Sequence, residues 1–128
     1  MLLWGGGSCS GDRCDQTVST PRDDGAALDP SANRWRSLAK SPLSARLRPA
    51  SAWTGKELVV WGGQAGTTYF ADGAAYDPAS DRWRPMAWNS RFAPASVWTS
   101  QELIVWGGIF ALAKIESLAD GARLSPYA

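Results

Sequence analysis

The sequence predicts an all-β protein built from a repeated antiparallel unit, and three recurring phrases carry that reading. Leu2-Leu3-Trp4-Gly5-Gly6 returns as Leu58-Val59-Val60-Trp61-Gly62-Gly63 and again as Leu103-Ile104-Val105-Trp106-Gly107-Gly108. Gly25-Ala26-Ala27-Leu28-Asp29-Pro30 with Arg34-Trp35-Arg36 returns 48 residues later as Gly73-Ala74-Ala75-Tyr76-Asp77-Pro78 with Arg82-Trp83-Arg84, and Gly121-Ala122-Arg123-Leu124 begins the phrase a third time. Pro49-Ala50-Ser51-Ala52-Trp53-Thr54 returns 45 residues on as Pro94-Ala95-Ser96-Val97-Trp98-Thr99, with Arg91 at the position of Arg46. A period of about forty to fifty residues marks stacked or radial units rather than one continuous core. Seven of the eight tryptophans fall on the register, all but Trp88, so the large aromatic side chains belong to the frame.

Residues 49–86 make one complete unit. Pro49 to Thr54 is a short strand, with proline at its first position, where no ladder donor is lost. Gly55-Lys56 reverses the chain, glycine supplying the positive φ of a two-residue hairpin; the next copy has Ser100-Gln101, a weaker turn signal that leaves more to the flanking strands. Glu57 to Trp61 is apolar after its first residue and fits a strand buried on both faces. Gly62-Gly63 ends it, where two glycines permit a close backbone approach or a conformation that a Cβ forbids. Gly73 to Tyr76 is the third strand, and Asp77-Pro78-Ala79-Ser80-Asp81 a turn ending in a residue that tolerates the left-handed region. Arg82 to Met86 is the fourth strand, with Trp83 on one face and Arg82 and Arg84 on the other.

Four short antiparallel strands at this period make a propeller blade. Trp4 to Trp61 spans 57 residues and Trp61 to Trp106 only 45. The surplus falls after the double glycine and after the Arg-Trp phrase, so strands keep their length while loops vary. Residues 109–119 hold a weak helical pattern and read as loop.

An apolar strand ending in Gly-Gly, an aromatic in the following strand (Tyr76) and a tryptophan seven residues later (Trp83) resemble the kelch repeat. Leu28 and Leu124 stand at the aromatic position of the other copies, a departure from the pattern. The propeller family with Gly-His and Trp-Asp signatures fits less well, since the chain has no histidine. The resemblance implies a kelch-type β-propeller fragment of four-stranded antiparallel blades: 1–38 an incomplete blade (strands two to four), 49–86 a complete one, and 94–128 an incomplete one (strands one to three). Closed propellers need four to eight blades. The remaining blades are therefore expected from a longer parent chain or from other subunits. The resemblance further implies that strand one lines a central channel, and that ligands are held by the loops 7–24, 64–72 and 109–119 and by the crossings 38–48 and 87–93.

Thirteen basic against twelve acidic residues gives a net charge of +1, so the field of the chain points to neither nucleic acid nor an anionic membrane. Arg34, Arg36, Lys40, Arg46 and Arg48 cluster in sequence and read as solvated charges beside aspartates rather than a docking patch. No apolar stretch is long enough to span a membrane. Cys9 and Cys14 lie in the longest variable loop. Two readings stand open there, a local disulfide with an extracytoplasmic address, or two free thiols. Two cysteines without histidine half fill a zinc site at best, and no cofactor is expected.

The expected function is a binding scaffold that recognises a protein or a carbohydrate through channel-side loops, with Arg46, Tyr69, Phe70, Asp72 and Arg91 as candidate residues. For Arg46 and Arg91 the competing reading is a hydrogen bond to neighbouring backbone at each repeat start, and for Tyr69 and Phe70 it is packing of the loop on its sheet. The alternative function is part of a propeller enzyme, of the oxidase or sugar epimerase class, whose active-site residues lie outside this chain. Against catalysis within the chain stand the missing histidine and the lack of a carboxylate pair singled out by spacing; Asp29 and Asp77 read as turn formers, and Glu57 and Glu102 as repeat positions.

Overall fold

The computed structural model describes residues 1–9, 20–87, 95–111, 115–117 and 120–124. Within them the chain is all-β, in chain order β1 (Leu2–Trp4), β2 (Gly7–Ser8), β3 (Thr20–Pro21), β4 (Gly25–Asp29), β5 (Arg34–Ser37), β6 (Ala50–Trp53), β7 (Leu58–Trp61), β8 (Gln64–Ala65), β9 (Thr68–Tyr69), β10 (Asp72–Asp77), β11 (Arg82–Ala87), β12 (Ala95–Trp98), β13 (Leu103–Trp106), β14 (Ile109–Ala111), β15 (Ile115–Ser117) and β16 (Gly121–Leu124). They form a first sheet β1-β4-β5, a central sheet β11-β10-β7-β6, a third sheet β12-β13-β16, and three two-stranded hairpins, β2-β3, β8-β9 and β14-β15. Every pairing is antiparallel. No helix among the described residues is long and apolar enough to cross a membrane.

The central sheet explains why β7 is apolar throughout. Its cross-strand rows run Ala50-Trp61-Gly73-Met86, Ser51-Val60-Ala74-Pro85, Ala52-Val59-Ala75-Arg84 and Trp53-Leu58-Tyr76-Trp83. Alternate rows face opposite sides. Val60 and Ala74 pack with Leu43 of the crossing segment and Trp4 of the first sheet. Val59, Trp61 and Ala75 pack instead with Leu103 and Val105 of the third sheet. Both faces are therefore interior, and each fully buried Val contributes roughly 1.5–3 kcal/mol.

The outer faces of the flanking sheets are different. Leu3 is 51% exposed where its repeat equivalent Val60 is 1%, and Trp106 is 60% exposed where Trp61 is 2%. Trp35 shares Leu3's side, because its neighbour Arg36 donates from Nη1 to the Tyr76 hydroxyl of the central sheet at 3.0 Å and the pleat turns Trp35 the other way. Val97 and Ile104 are likewise exposed beside Trp106.

Turns follow the local chemistry. Asp29 Oδ1 accepts from the Ser31 and Ala32 amides, and Asp77 Oδ1 from the Ala79 amide, so both aspartates build turns. Asn33 and Asp81 close those turns at φ 47° and 52°. Ser100 adopts φ 85° where Gly55 adopts 91° in the preceding copy. A serine held there is strained. Ser100→Gly is expected to stabilise the chain by about 0.5–1 kcal/mol, net of glycine's extra unfolded-state entropy. A rise in urea midpoint at constant slope checks it; a fall would show that the strain is absent.

The segment between the first and central sheets is tied to the frame. The Ala39 amide donates to Asp81 Oδ1 at 3.0 Å, and the Trp83 indole donates to the Ala39 carbonyl at 2.9 Å. Ser41, Leu43, Arg46 and Leu47 are buried. Part of the 38–48 crossing, read from sequence as ligand-holding, is thus given to packing, while Lys40, Pro42, Ser44 and Arg48 in it are exposed.

Candidate functional site

All three double glycines open onto a hairpin. Gly5-Gly6, Gly62-Gly63 and Gly107-Gly108 have positive φ, and β2, β8 and β14 begin directly after them. At Gly63 the requirement is strict: φ is +91°, and a Cβ would lie 2.8 Å from the Leu47 carbonyl oxygen. The loop readings at 7–24, 64–72 and 109–119 are corrected here, since each contains a short strand pair. In the second, Gln64 faces Tyr69 and Ala65 faces Thr68 across Gly66-Thr67, with Gly66 at φ 58°. Gly66 was the available signal, a glycine placed for a two-residue turn.

Arg46 sits where these elements meet. Its amide donates to the Arg22 carbonyl beside the first hairpin, and Leu47 exchanges two main-chain bonds with Gln64 of the second. The Arg46 side chain is 0% exposed. Nη1 donates to Asp72 Oδ1 at 2.8 Å and to the Gly62 carbonyl at 3.0 Å, Nη2 to Asp72 Oδ2 at 3.2 Å, and Nε to the Ser44 carbonyl at 2.9 Å. The guanidinium carbon lies 4.1 Å from the centre of the Phe70 ring. A planar, always-charged fork suits this combination of bidentate carboxylate, two carbonyls and a ring face.

Three of the predicted residues, Arg46, Phe70 and Asp72, therefore come together. Arg46 is spent on the frame, whereas the Asp72 side chain is 52% exposed and Phe70 half-buried. Tyr69 lies on β9, half-buried, next to that cluster in the chain. Arg91 falls outside the described residues. Cys9 is disulfide-bonded; Cys14, the other cysteine of the chain, lies outside the described residues. No group of three His, Cys, Asp or Glu side chains placed to hold a metal occurs among the described residues.

The remaining charges are dispersed. Arg36 pairs with Asp81, Lys40 with Asp23, Arg84 with Glu57 and Arg123 with Glu102. Asp81 also accepts a hydrogen bond from the Tyr76 hydroxyl; that bond, above all, holds its carboxyl below the usual carboxylate range, with the Ala39 amide adding to it. Burial pushes the Tyr76 hydroxyl above its ordinary value, and the bond to Asp81 adds to it. The Arg36, Tyr76 and Asp81 contacts join the first sheet to the central one, whereas the Arg84–Glu57 and Arg123–Glu102 pairs each stay within one sheet. They do not converge on a reacting position.

Sequence reasoning missed a cleft at the opposite end of the central sheet. About 840 Å³ in volume, it lies between the first and central sheets beside Leu2, Leu28, Trp53 and Leu58. A smaller cavity of about 280 Å³ lies beside Leu3, Arg48, Ser51 and Val60. Nothing in the repeat set Trp53 apart from the other register tryptophans, so its 47% exposure in this cleft had no signal in the sequence. A scan against protein-family models and a search of curated proteins each gave no match to this chain.

Proposed function

We propose that the chain is part of a kelch-type β-propeller that serves as a binding scaffold for a protein or a carbohydrate, without a catalytic step of its own. The observation that carries the propeller reading is the paired exposure of the flanking sheets. Leu3 and Trp35 on one outer face, and Ile104 and Trp106 on the other, are the repeat equivalents of side chains that meet at the two internal sheet interfaces. Further units of the same kind are the natural cover for both faces.

The binding reading rests on the contrast between frame and hairpin. Arg46 and the double glycines hold the hairpin bases in place, while the residues beyond them differ from copy to copy: Gly7-Ser8, Gln64-Ala65 and Ile109-Phe110. Tyr69 offers an aromatic face and Asp72 a half-exposed carboxylate, a pairing suited to a sugar or a polar peptide.

A glycan array and a defined peptide library, each probed with the whole chain, test this. Specific signal is expected to survive EDTA and to fall at least about tenfold in Tyr69→Ala, a loss of about 1.4 kcal/mol. Signal that requires added metal, or turnover of a bound sugar, would instead favour the enzyme reading.

A further inference from the structure

The chain has two cysteines, Cys9 and Cys14, and Cys9 is disulfide-bonded, so the bond joins that pair. Both belong to the link, residues 9–19, that leads from β2 to β3. The ring they close is six residues long, and a ring so short removes less freedom from the unfolded chain than a bond across a long loop does.

The repeat supplies an internal control. A hairpin follows the double glycine in each unit, yet only the first carries cysteine. A hairpin at this place therefore forms without a disulfide. Main-chain bonds hold its base: the Gly5 amide donates to the Asp24 carbonyl, the Arg22 amide to the Gly6 carbonyl and the Arg46 amide to the Arg22 carbonyl. The bonds from Gly62 to Asp72 and from Phe70 to Gly63 do the same in the second unit.

Above that base the first hairpin has two cross-strand pairs, Gly7 with Pro21 and Ser8 with Thr20. The Arg22 bond to Gly6 sets the alternation, so Ser8 and Thr20 carry the last ladder bonds. Cys9, half-buried, comes next. The disulfide thus lies beyond the ladder and outside the frame. By linkage, a disulfide that stabilises a fold is stabilised by it in turn and resists reduction; one that the fold does not need gains no such resistance.

We propose that the Cys9-Cys14 bond is a reversible thiol-disulfide modification site that tunes the outer end of the first hairpin and leaves its base in place. This rests on the reading of the hairpins as binding elements. The co-reactant is a small thiol such as glutathione. Its thiolate attacks one sulfur of the pair, giving a mixed disulfide and a cysteine thiolate; a second thiolate then displaces the other cysteine. Two reductant thiols give up two electrons and two protons and leave joined as a disulfide, while the protein's S–S bond becomes two thiols. The closed ring shortens the path between β2 and β3, so a ligand seated on this hairpin orders less chain in the oxidised form and binds it more tightly.

The first measurement uses the whole chain in a buffer of reduced and oxidised glutathione. Reduction is expected to go to completion without urea and to reverse when oxidised glutathione is restored. It should shift the amide signals of Ser8, Cys9 and Thr20 while Arg46, Leu47 and Gln64 stay unmoved. Reduction that needs urea, or shifts that reach Arg46 and Gln64, would overturn the proposal by making the bond part of the frame. The second measurement repeats the glycan array and peptide library with both forms and with a Cys9→Ser/Cys14→Ser variant. Signal should fall at least about tenfold in the reduced chain and in the variant, and return when the reduced chain is reoxidised. Equal signal in both forms would overturn the tuning. An array and library silent throughout would instead count against the hairpins as binding elements, with the modification site still decided by the first measurement.

Discussion

Trp61→Ala is expected to destabilise the chain by about 3–5 kcal/mol, while Trp106→Ala, at the same repeat position, should cost less than about 1 kcal/mol. The sequence context of the two is nearly identical, Val-Val-Trp-Gly-Gly against Ile-Val-Trp-Gly-Gly. What differs is the neighbour. Trp61 fills the interface with Leu103 and Val105, so truncation removes its transfer free energy and opens a cavity between two sheets that cannot fully close. Trp106 stands on an outer face and is mostly in water already. Urea unfolding followed by far-ultraviolet dichroism gives both values independently of tryptophan fluorescence. Equal losses would mean that Trp106 is covered in solution.

Asp72→Ala is expected to cost about 3 kcal/mol, more than Arg46→Met, at about 2 kcal/mol, although Asp72 is the more exposed partner. The asymmetry lies in what each change leaves behind. Without the Asp72 carboxylate the guanidinium remains buried with no counter-charge, facing the Gly62, Ser44 and residue-72 main-chain carbonyls and the Phe70 ring. Without Arg46 the carboxylate can hydrate, and methionine retains most of the packing against Phe70, leaving two carbonyls short of a donor. The double variant should resemble Arg46→Met alone, because no buried charge is then left to balance. Additive losses would show that the two side chains act independently.

The central unit was the part most open to sequence reading. β6, β7, β10 and β11 begin and end within one residue of the strands expected there, because their apolar positions, double glycine and Asp-Pro turn all agree. The hairpins after the double glycines were hidden. Their strands are two or three residues long, too short for a period, and at 109–119 a stray apolar spacing obscured the pair Ile109–Ala111 and Ile115–Ser117. Arg46 was visible as a repeat position. Its meeting with Phe70 and Asp72 was not, since the turn at Gly62-Gly63 brings together residues 26 apart in the chain. Exposure was the least legible property of all. Leu3 and Val60 occupy one position of one phrase, and only the presence of a neighbouring sheet separates them.

The ties at Ala39 carry a consequence for how the chain comes apart. Its amide and carbonyl are held by Asp81 and Trp83, so the strip of chain leaving the first sheet is fastened to the rim of the next. The same turn also receives Arg36 of β5, through Asp81 and the Pro78 carbonyl, so melting the 77–81 turn frees both the strip and that side chain at once. The turn is in this sense a buckle, a polar fastening at the edge of the apolar contacts that join the two sheets.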